Sequence, residues 1–445
     1  MQFGFAKVDI TPRVGVGLYG YGAYLCRFSN RVRDRLYARA MAASDGGDTV
    51  VVVSCDLVGV EGSVTEEVRE RVADRIGLPP DHVLVHCTHT HCGPRTKYGI
   101  GQGMRDEPYM EVLPVRIAEA CIQAVENRTD GVLRRAIVPA EGIGYSREYD
   151  ERPELAEALK ETYRPAKPEL TDTEAQVFRV DSANGMIGFL SYFSCHPVVG
   201  SSRCRAIHGD YCGVATNLLD REHPGATGLF LQGAHGNINT CVVHHDEEES
   251  LLALDVIAAR YARSVRRGLE EAEPLDGTGV RGIRVVKELK RAPLPMAELR
   301  RAAADAEGVV KAPDASDADA QVRRTVVRLH AIRKEIARQE AGRPFDEGVE
   351  LHGLRIGDMV LVGAPFEIAH RYKKRVQEQA GDRTLVLSLV DDSIGYAPER
   401  EAFDQDGNYA AGTVPYMLGY PPFSPEIEDA LVDAFLEMDR ALRTG

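Results

Sequence analysis

The chain has 445 residues, 44% of them hydrophobic, and a formal net charge of −14 at pH 7, enough apolar material for one large α/β domain or two to three average ones. The acidic balance excludes a nucleic-acid groove, which needs a basic face, and apolar runs no longer than a strand exclude a bilayer span of roughly 20 residues. Nine cysteines, at positions 26, 55, 87, 92, 121, 195, 204, 212 and 241, include no Cys-x-x-Cys pair, which argues against a disulfide framework or a cysteine zinc site and for small buried hydrophobes.

In chain order, the apolar run 49–54 ends at Asp56 and is followed by a helix. Ser63 reads as its N-cap and Glu66 as the capping-box partner; Val64, Val68, Val72 and Ile76 share one face, and Gly77 stops it. The next run, 83–85, leads into Thr88-His89-Thr90-His91-Cys92-Gly93-Pro94. This predicts a β-α-β unit with polar groups at the carboxyl ends of both strands, where open α/β sheets bind ligands. Side chains two apart on an extended segment point to one side, so His89 and His91 can converge on one metal ion or one substrate atom.

The same pattern recurs downstream. Run 186–193 ends at Cys195-His196-Pro197, 227–231 at Gln232-Gly233-Ala234-His235-Gly236-Asn237, 359–362 at Gly363-Ala364-Pro365-Phe366-Glu367, and 384–390 at Asp391 to Tyr396. Six strands are thus expected to deliver polar groups to one rim of a mixed sheet. His244-His245-Asp246-Glu247-Glu248-Glu249 reads as an exposed acidic loop, because consecutive histidines project in different directions. The Ala/Arg/Glu/Asp-rich stretch at about 296–343 reads as a solvated helical hairpin, and a closing helix follows Ser424-Pro425-Glu426 with Ile427, Leu431, Phe435, Met438 and Leu442 on its apolar side. With no linker and no internal sequence repeat, the expected fold is a single large α/β domain over 1–445, a mixed β-sheet core flanked by helices.

His89, His196, Glu367 and Tyr396 make a nitrogen and oxygen set that suits Zn²⁺. Each has a plainer reading: a His-x-His pair is as often simply buried or solvent-facing, His196 before Pro197 shapes a turn, and Glu367 favours a helix N-terminus.

The segment 88–94 resembles the Thr-His-Thr-His-Ser-Gly-Pro motif of the neutral ceramidases, zinc-dependent amidases that split the amide of N-acyl sphingoid bases. The resemblance extends along the chain in family order: residues 4–12 to the opening Gly-x-x-x-x-Asp-Ile-Thr, 35–40 to the following strand entry, 192–197 to Phe-x-x-His-Pro, Asp210 to an acid downstream of it, 364–367 to Pro-Gly-Glu, and Tyr396 to the Tyr-rich late segment. It implies a neutral-ceramidase-like catalytic domain in which His89, His196, Glu367 and Tyr396 hold one Zn²⁺ per chain. His91 is implied as a substrate-facing hydrogen-bonder, Arg147 as the arginine near the reacting carbonyl, and Tyr409 as the family's second active-site tyrosine.

The sequence departs from the family at Gly236-Asn237-Ile238-Asn239-Thr240, where the motif is Gly-Asp-Val-Ser-Pro. An Asn239 amide cannot form an acyl-enzyme, so attack is expected from a metal-activated water, with Asn239 orienting it or donating to the oxyanion and His235 acting as an additional base. The extra C-terminal domain and secretion signal common in that family are not expected here. The reading is a cytoplasmic metal-dependent hydrolase of an amide in a small or medium soluble N-acyl compound, not a true ceramidase. It has no nucleic-acid partner and no transmembrane segment, and a homo-oligomer is compatible with it. Alternatives are an ester or lactone hydrolase, an acyl-transfer enzyme, or a non-catalytic metal-containing ligand-binding protein.

Overall fold

The computed structural model describes residues 1–22, 24–345, 348–405 and 407–444. Among them one supersecondary unit is built three times, each as an edge strand, an antiparallel hairpin, a crossover helix, a fourth strand and a covering helix. The first comprises Gln2–Asp9, the hairpin Tyr37–Asp45 and Asp48–Cys55, helix Gly62–Ile76, strand Val83–Cys87 and helix Glu107–Glu126. The second comprises Val132–Pro139, Glu174–Ser182 and Gly185–Phe193, helix Asp210–Glu222, strand Thr227–Gln232 and helix Glu247–Glu271. The third comprises Val280–Glu288, Gly348–Ile356 and Met359–Gly363, helix His370–Ala380, strand Thr384–Leu387 and helix Ile427–Thr444.

The four main strands keep the same order in all three sheets, fourth strand, second hairpin strand, first hairpin strand, edge strand, and in the first two sheets a two-residue strand, Thr129–Asp130 or Glu273–Pro274, pairs beyond the edge strand. In each, the fourth strand runs parallel to the second hairpin strand and the remaining pairs are antiparallel. The sequence carries no matching repeat because the shared property is hydrogen-bond order, which any residues of suitable size and alternation satisfy.

The six apolar runs are all strands, but they do not line one sheet. They are the three parallel pairs, two per sheet. The physical reason is burial on both faces. The inner faces share one core, with Phe5, Met41 and Val52 from the first sheet, Phe178, Leu190 and Leu231 from the second, and Leu354, Leu361 and Leu387 from the third. Each outer face is covered by its own helices, through Val68 and Ile117, Ile257 and Tyr261, and Leu431 and Phe435. A Cβ on Gly188 would lie 2.4 Å from the Phe5 ring, so a side chain there would push the first two sheets apart.

The strand ends are stitched together where the six runs finish. His86 Nε2 accepts from Gln232 N at 3.0 Å, Ser388 N donates to Gln232 O at 3.2 Å, and Asp391 exchanges bonds with Val85 through its backbone N (2.7 Å) and its Oδ1 (2.9 Å). All three sheets are therefore in register at one end.

Local expectations are refined in three places. The first helix begins at Gly62 with Glu61 as N-cap and no side-chain cap bond, so Ser63 lies inside the first turn; Gly77 ends it with φ 71°. Residues 247–249 form the first turn of helix Glu247–Glu271 rather than a loop, with Glu247, Glu248 and Glu249 at its positive end. The 296–343 stretch forms helices Met296–Val310 and Ala320–Glu340. The second of these meets the segment after Tyr409, with the Lys334 ammonium 4.5 Å from the Tyr420 ring centroid. Among the described residues no helix is long and apolar enough to cross a membrane.

Candidate metal centre and active site

The fourth strand of the first unit stops at Cys87, and His89 takes a left-handed φ of 73°. Strand alternation is therefore not what brings His89 and His91 together; the turn is. Its backbone is held by His89 N donating to Leu57 O at 2.8 Å. His91 Nε2 then stands 3.2 Å from His89 Nε2, with its ring edge-on to Tyr21 at 4.8 Å. Gly20, at φ 115°, packs so closely on this ring that a Cβ would lie 2.4 Å from His91 Cγ.

The second sheet supplies His196 and His235, and the third supplies Glu367, which pairs with Tyr396 in a short parallel ladder. Glu367 Oε2 lies 2.9 Å from His196 Nε2 and 3.3 Å from His89 Nε2. One ligand atom from each of His89, His196, His235 and Glu367 lies within 4.8 Å of the others.

The donor chemistry fits a cation. His89 Nδ1 faces Val58 O at 2.7 Å, His196 Nδ1 faces His235 O at 2.8 Å and Ile238 O at 3.0 Å, and His235 Nδ1 faces Gly233 O at 3.0 Å. Each neutral imidazole has one proton, and these carbonyls claim it at Nδ1, leaving three Nε2 lone pairs pointing inward. Burial holds His196 down to about 4, and His235 is likewise held low by burial and by His196 and His89. An Nε2 lone pair 2.9 Å from a carboxylate oxygen is repulsive unless a positive charge lies between them. His235 Nε2 is buried without any hydrogen-bond partner, a cost that a metal ion would remove.

Beside this group, Arg147 donates from Nη2 to Gly236 O at 2.5 Å, and its backbone N donates to Asn237 O at 3.0 Å. Its guanidinium lies 5.3 Å from the Tyr396 ring and 5.6 Å from the Tyr409 ring, and the two rings are 5.9 Å apart. Tyr409 is 48% exposed and forms the rim of the cluster. Asn239 sits on the strand Ile238–Thr240, opposite Tyr145 and bridged to His196 through the backbone. Its side chain meets the Tyr145 hydroxyl.

The fold thus gathers His89, His196, His235, Glu367, His91, Arg147 and Tyr396, with Asn239 and Tyr409 at the edges. His244 and His245 join no metal-binding group among the described residues. Sequence reasoning missed Asn237, whose Nδ2 donates to Glu399 at 2.9 Å while its Oδ1 accepts from His370 N at 2.8 Å. These bonds pin the His235 loop to the third sheet. They span 162 and 133 residues, so no local pattern could have signalled them.

Comparison with known proteins agrees with this architecture. The family described as neutral/alkaline non-lysosomal ceramidase, N-terminal, matches residues 1–239, more than half of the 445-residue chain. The chain belongs to the neutral/alkaline ceramidase family. It is 23% identical over 236 residues to a neutral ceramidase of Mycobacterium tuberculosis (strain ATCC 25618 / H37Rv), a match covering 52% of this chain and 37% of that protein; the chain therefore spans little more than a third of that ceramidase's length. The crystal structure of the Pseudomonas aeruginosa neutral ceramidase superposes with a TM-score of 0.74 at 20% identity, over 99% of this chain and 74% of that one. A ceramidase complexed with C2 gives 0.71 at 19% identity, over 99% and 75%. These likenesses establish the ceramidase fold for the whole described chain.

Proposed function

We propose that this ceramidase-family protein is a zinc-dependent hydrolase that cleaves the amide of a small or medium soluble N-acyl compound in the cytoplasm. The observation that carries the proposal is that three imidazoles and one carboxylate bring ligand atoms within 4.8 Å of one another, with the partly buried Arg147 alongside. His89, His196 and Glu367 would hold the ion. His235 is the better fourth donor because its lone pair is already available, whereas burial keeps the Tyr396 phenol protonated; Tyr396, the oxygen donor implied by the family resemblance, is the alternative. When bound, the ion supplies Lewis acidity, polarising a carbonyl and making water acidic enough to attack near neutral pH.

The chain's own groups supply the rest. Arg147 is permanently charged and anchored by Gly236, so it can donate to the oxygen that gains charge as the carbonyl becomes tetrahedral. His91 offers a second donor from Nε2, and Asn239 offers its side-chain amide to orient water or to donate to the same oxygen. Tyr409, half-exposed beside Arg147, would line the substrate entrance. With asparagine in place of the motif serine, no acyl-enzyme forms and hydrolysis proceeds in one displacement.

Metal content measured on protein purified without added metal, followed by assays on matched amide and ester pairs of N-acyl and O-acyl compounds, tests this reading. Near one zinc per chain and metal-dependent cleavage preferring amides is the expected result. A folded, metal-free protein inert toward both series would overturn it.

A further inference from the structure

A second buried group lies apart from the centre just described. The sulfurs of Cys92 and Cys204 and one ring nitrogen of His208 all lie within 4.8 Å of one another, and all three residues are buried. Cys204 Sγ is 3.5 Å from His208 Nε2. A Cβ on Gly200 would lie 2.5 Å from Cys92 Sγ and 2.6 Å from His208 Cε1, so glycine is what lets the chain pack directly against this group.

Such a trio invites a metal reading, but the tautomer of His208 opposes it. The Asp210 backbone N–H donates to His208 Nδ1 at 3.1 Å, which makes Nδ1 the acceptor and leaves the proton on Nε2, facing Cys204. A ligand to a cation would need that Nε2 lone pair free. An Nε2–H directed at sulfur instead favours a Cys204 thiolate, with the Cys92 thiol as its neighbour.

We infer that Cys92 and Cys204 are a disulfide-forming pair, with His208 as the hydrogen-bond donor that prepares Cys204 to react with a peroxide. Cys204 thiolate attacks one peroxide oxygen, the O–O bond breaks, and Cys204 becomes a sulfenic acid while the leaving hydroxide takes a proton to become water. The Cys92 sulfur then displaces the sulfenic hydroxyl, its own proton leaving with that oxygen as a second water. In sum, two thiols and one peroxide give one disulfide and two waters. Both cysteines are fully buried, so the peroxide would enter by a local opening of the 201–205 turn, where Arg203 and Arg205 are exposed and Cys204 Sγ lies 4.0 Å from the partly exposed Glu247 carboxylate.

The bond would tie the loop carrying His89 and His91 to the segment that ends at His208. Arg27 already bridges these two parts, donating to His91 O at 2.8 Å and Cys204 O at 3.1 Å, and His208 N donates to Cys92 O at 3.2 Å. The cross-link closes a long loop and should raise thermal stability.

The test treats the full-length protein with hydrogen peroxide, alkylates the remaining thiols, and measures free-thiol count, peptide linkage and Tm. The wild type should lose two thiols per chain, link tryptic peptide 204–205 to tryptic peptide 76–95, and gain a few degrees in Tm, all reversed by dithiothreitol. Cys87→Ser, which removes the other cysteine of that peptide, should retain the link. Cys92→Ser and Cys204→Ser should lack it while keeping cooperative unfolding; serine is the residue that the resembling family motif has at position 92. An unchanged thiol count in folded wild type, or a link that persists in Cys92→Ser, would overturn the inference. So would a second zinc per chain that disappears in Cys204→Ser, which would establish the metal reading. None of these readouts depends on hydrolase activity.

Discussion

His196 Nε2 lies 2.9 Å from Glu367 Oε2, across 171 residues, on segments that follow strands of the second and third sheets. With His89 from the first sheet, the pair makes the centre a joint product of all three repeated units. No one unit contains it, so loss of any strand-end stitch should loosen the site before it unfolds a sheet.

His235→Ala is expected to lower zinc affinity at least about tenfold, and more than Tyr396→Phe does, because an available imidazole lone pair costs less to use than a phenol that must first ionise. Zinc competition titrations on the two variants check this. Equal zinc affinity in wild type and His235→Ala, with unchanged turnover, would remove His235 from the site.

Arg147→Lys should bind zinc normally and lose about 10²-fold in kcat. The planar fork that spans Gly236 O and the Tyr396 ring has no equivalent in an ammonium, and a preorganised donor to the oxyanion is worth about 3 kcal/mol. Steady-state kinetics on the best amide substrate would show it as a loss in kcat with KM nearly constant.

On the proposed reading, in which Asn239 stands where the family motif has its serine, no covalent intermediate should accumulate during turnover. Rapid acid quench followed by intact-protein mass spectrometry tests the point; a substrate-derived acyl adduct would refute the one-displacement scheme.

Arg69 is 1% exposed and donates from Nη2 to Asp391 Oδ2 at 2.5 Å, where His352 Nδ1 also approaches at 2.7 Å. The cluster joins the first crossover helix to the third sheet. Arg69→Ala leaves Asp391 buried without its cation and should cost about 3–5 kcal/mol in urea unfolding. An effect below about 1 kcal/mol would mean that the cluster relaxes to water.

Burial pushes His86 down to about 3 and His370 down to about 4. Both are depressed below the unfolded value of about 6.5, so between these limits the unfolded chain binds protons that the folded chain refuses. Their contribution to stability is full above about pH 6.5 and is lost as pH falls toward 4 and 3. His370→Asn should flatten the dependence of the urea midpoint on pH between 7 and 4; an unchanged slope would exclude His370 as a source of acid lability.

The sequence was most informative where chemistry is local. The six apolar runs, the Gly77 stop, the closing helix and the candidate residues His89, His91, His196, His235 and Glu367 are readable because periodicity and residue type act over a few positions. What the fold alone decided is how those pieces combine. Three sheets rather than one carry the six strands, because hairpin partners and shared inner faces are set by contacts across the whole chain. His89 meets His91 through a left-handed turn, since its φ of 73° is held by Leu57 O. Asn237 reaches Glu399, and His208 turns its Nε2–H toward Cys204, because hydrogen bonds to distant or neighbouring backbone choose the rotamer and the tautomer. Residue identity supplies the donors; only tertiary packing fixes which lone pair or proton each one presents.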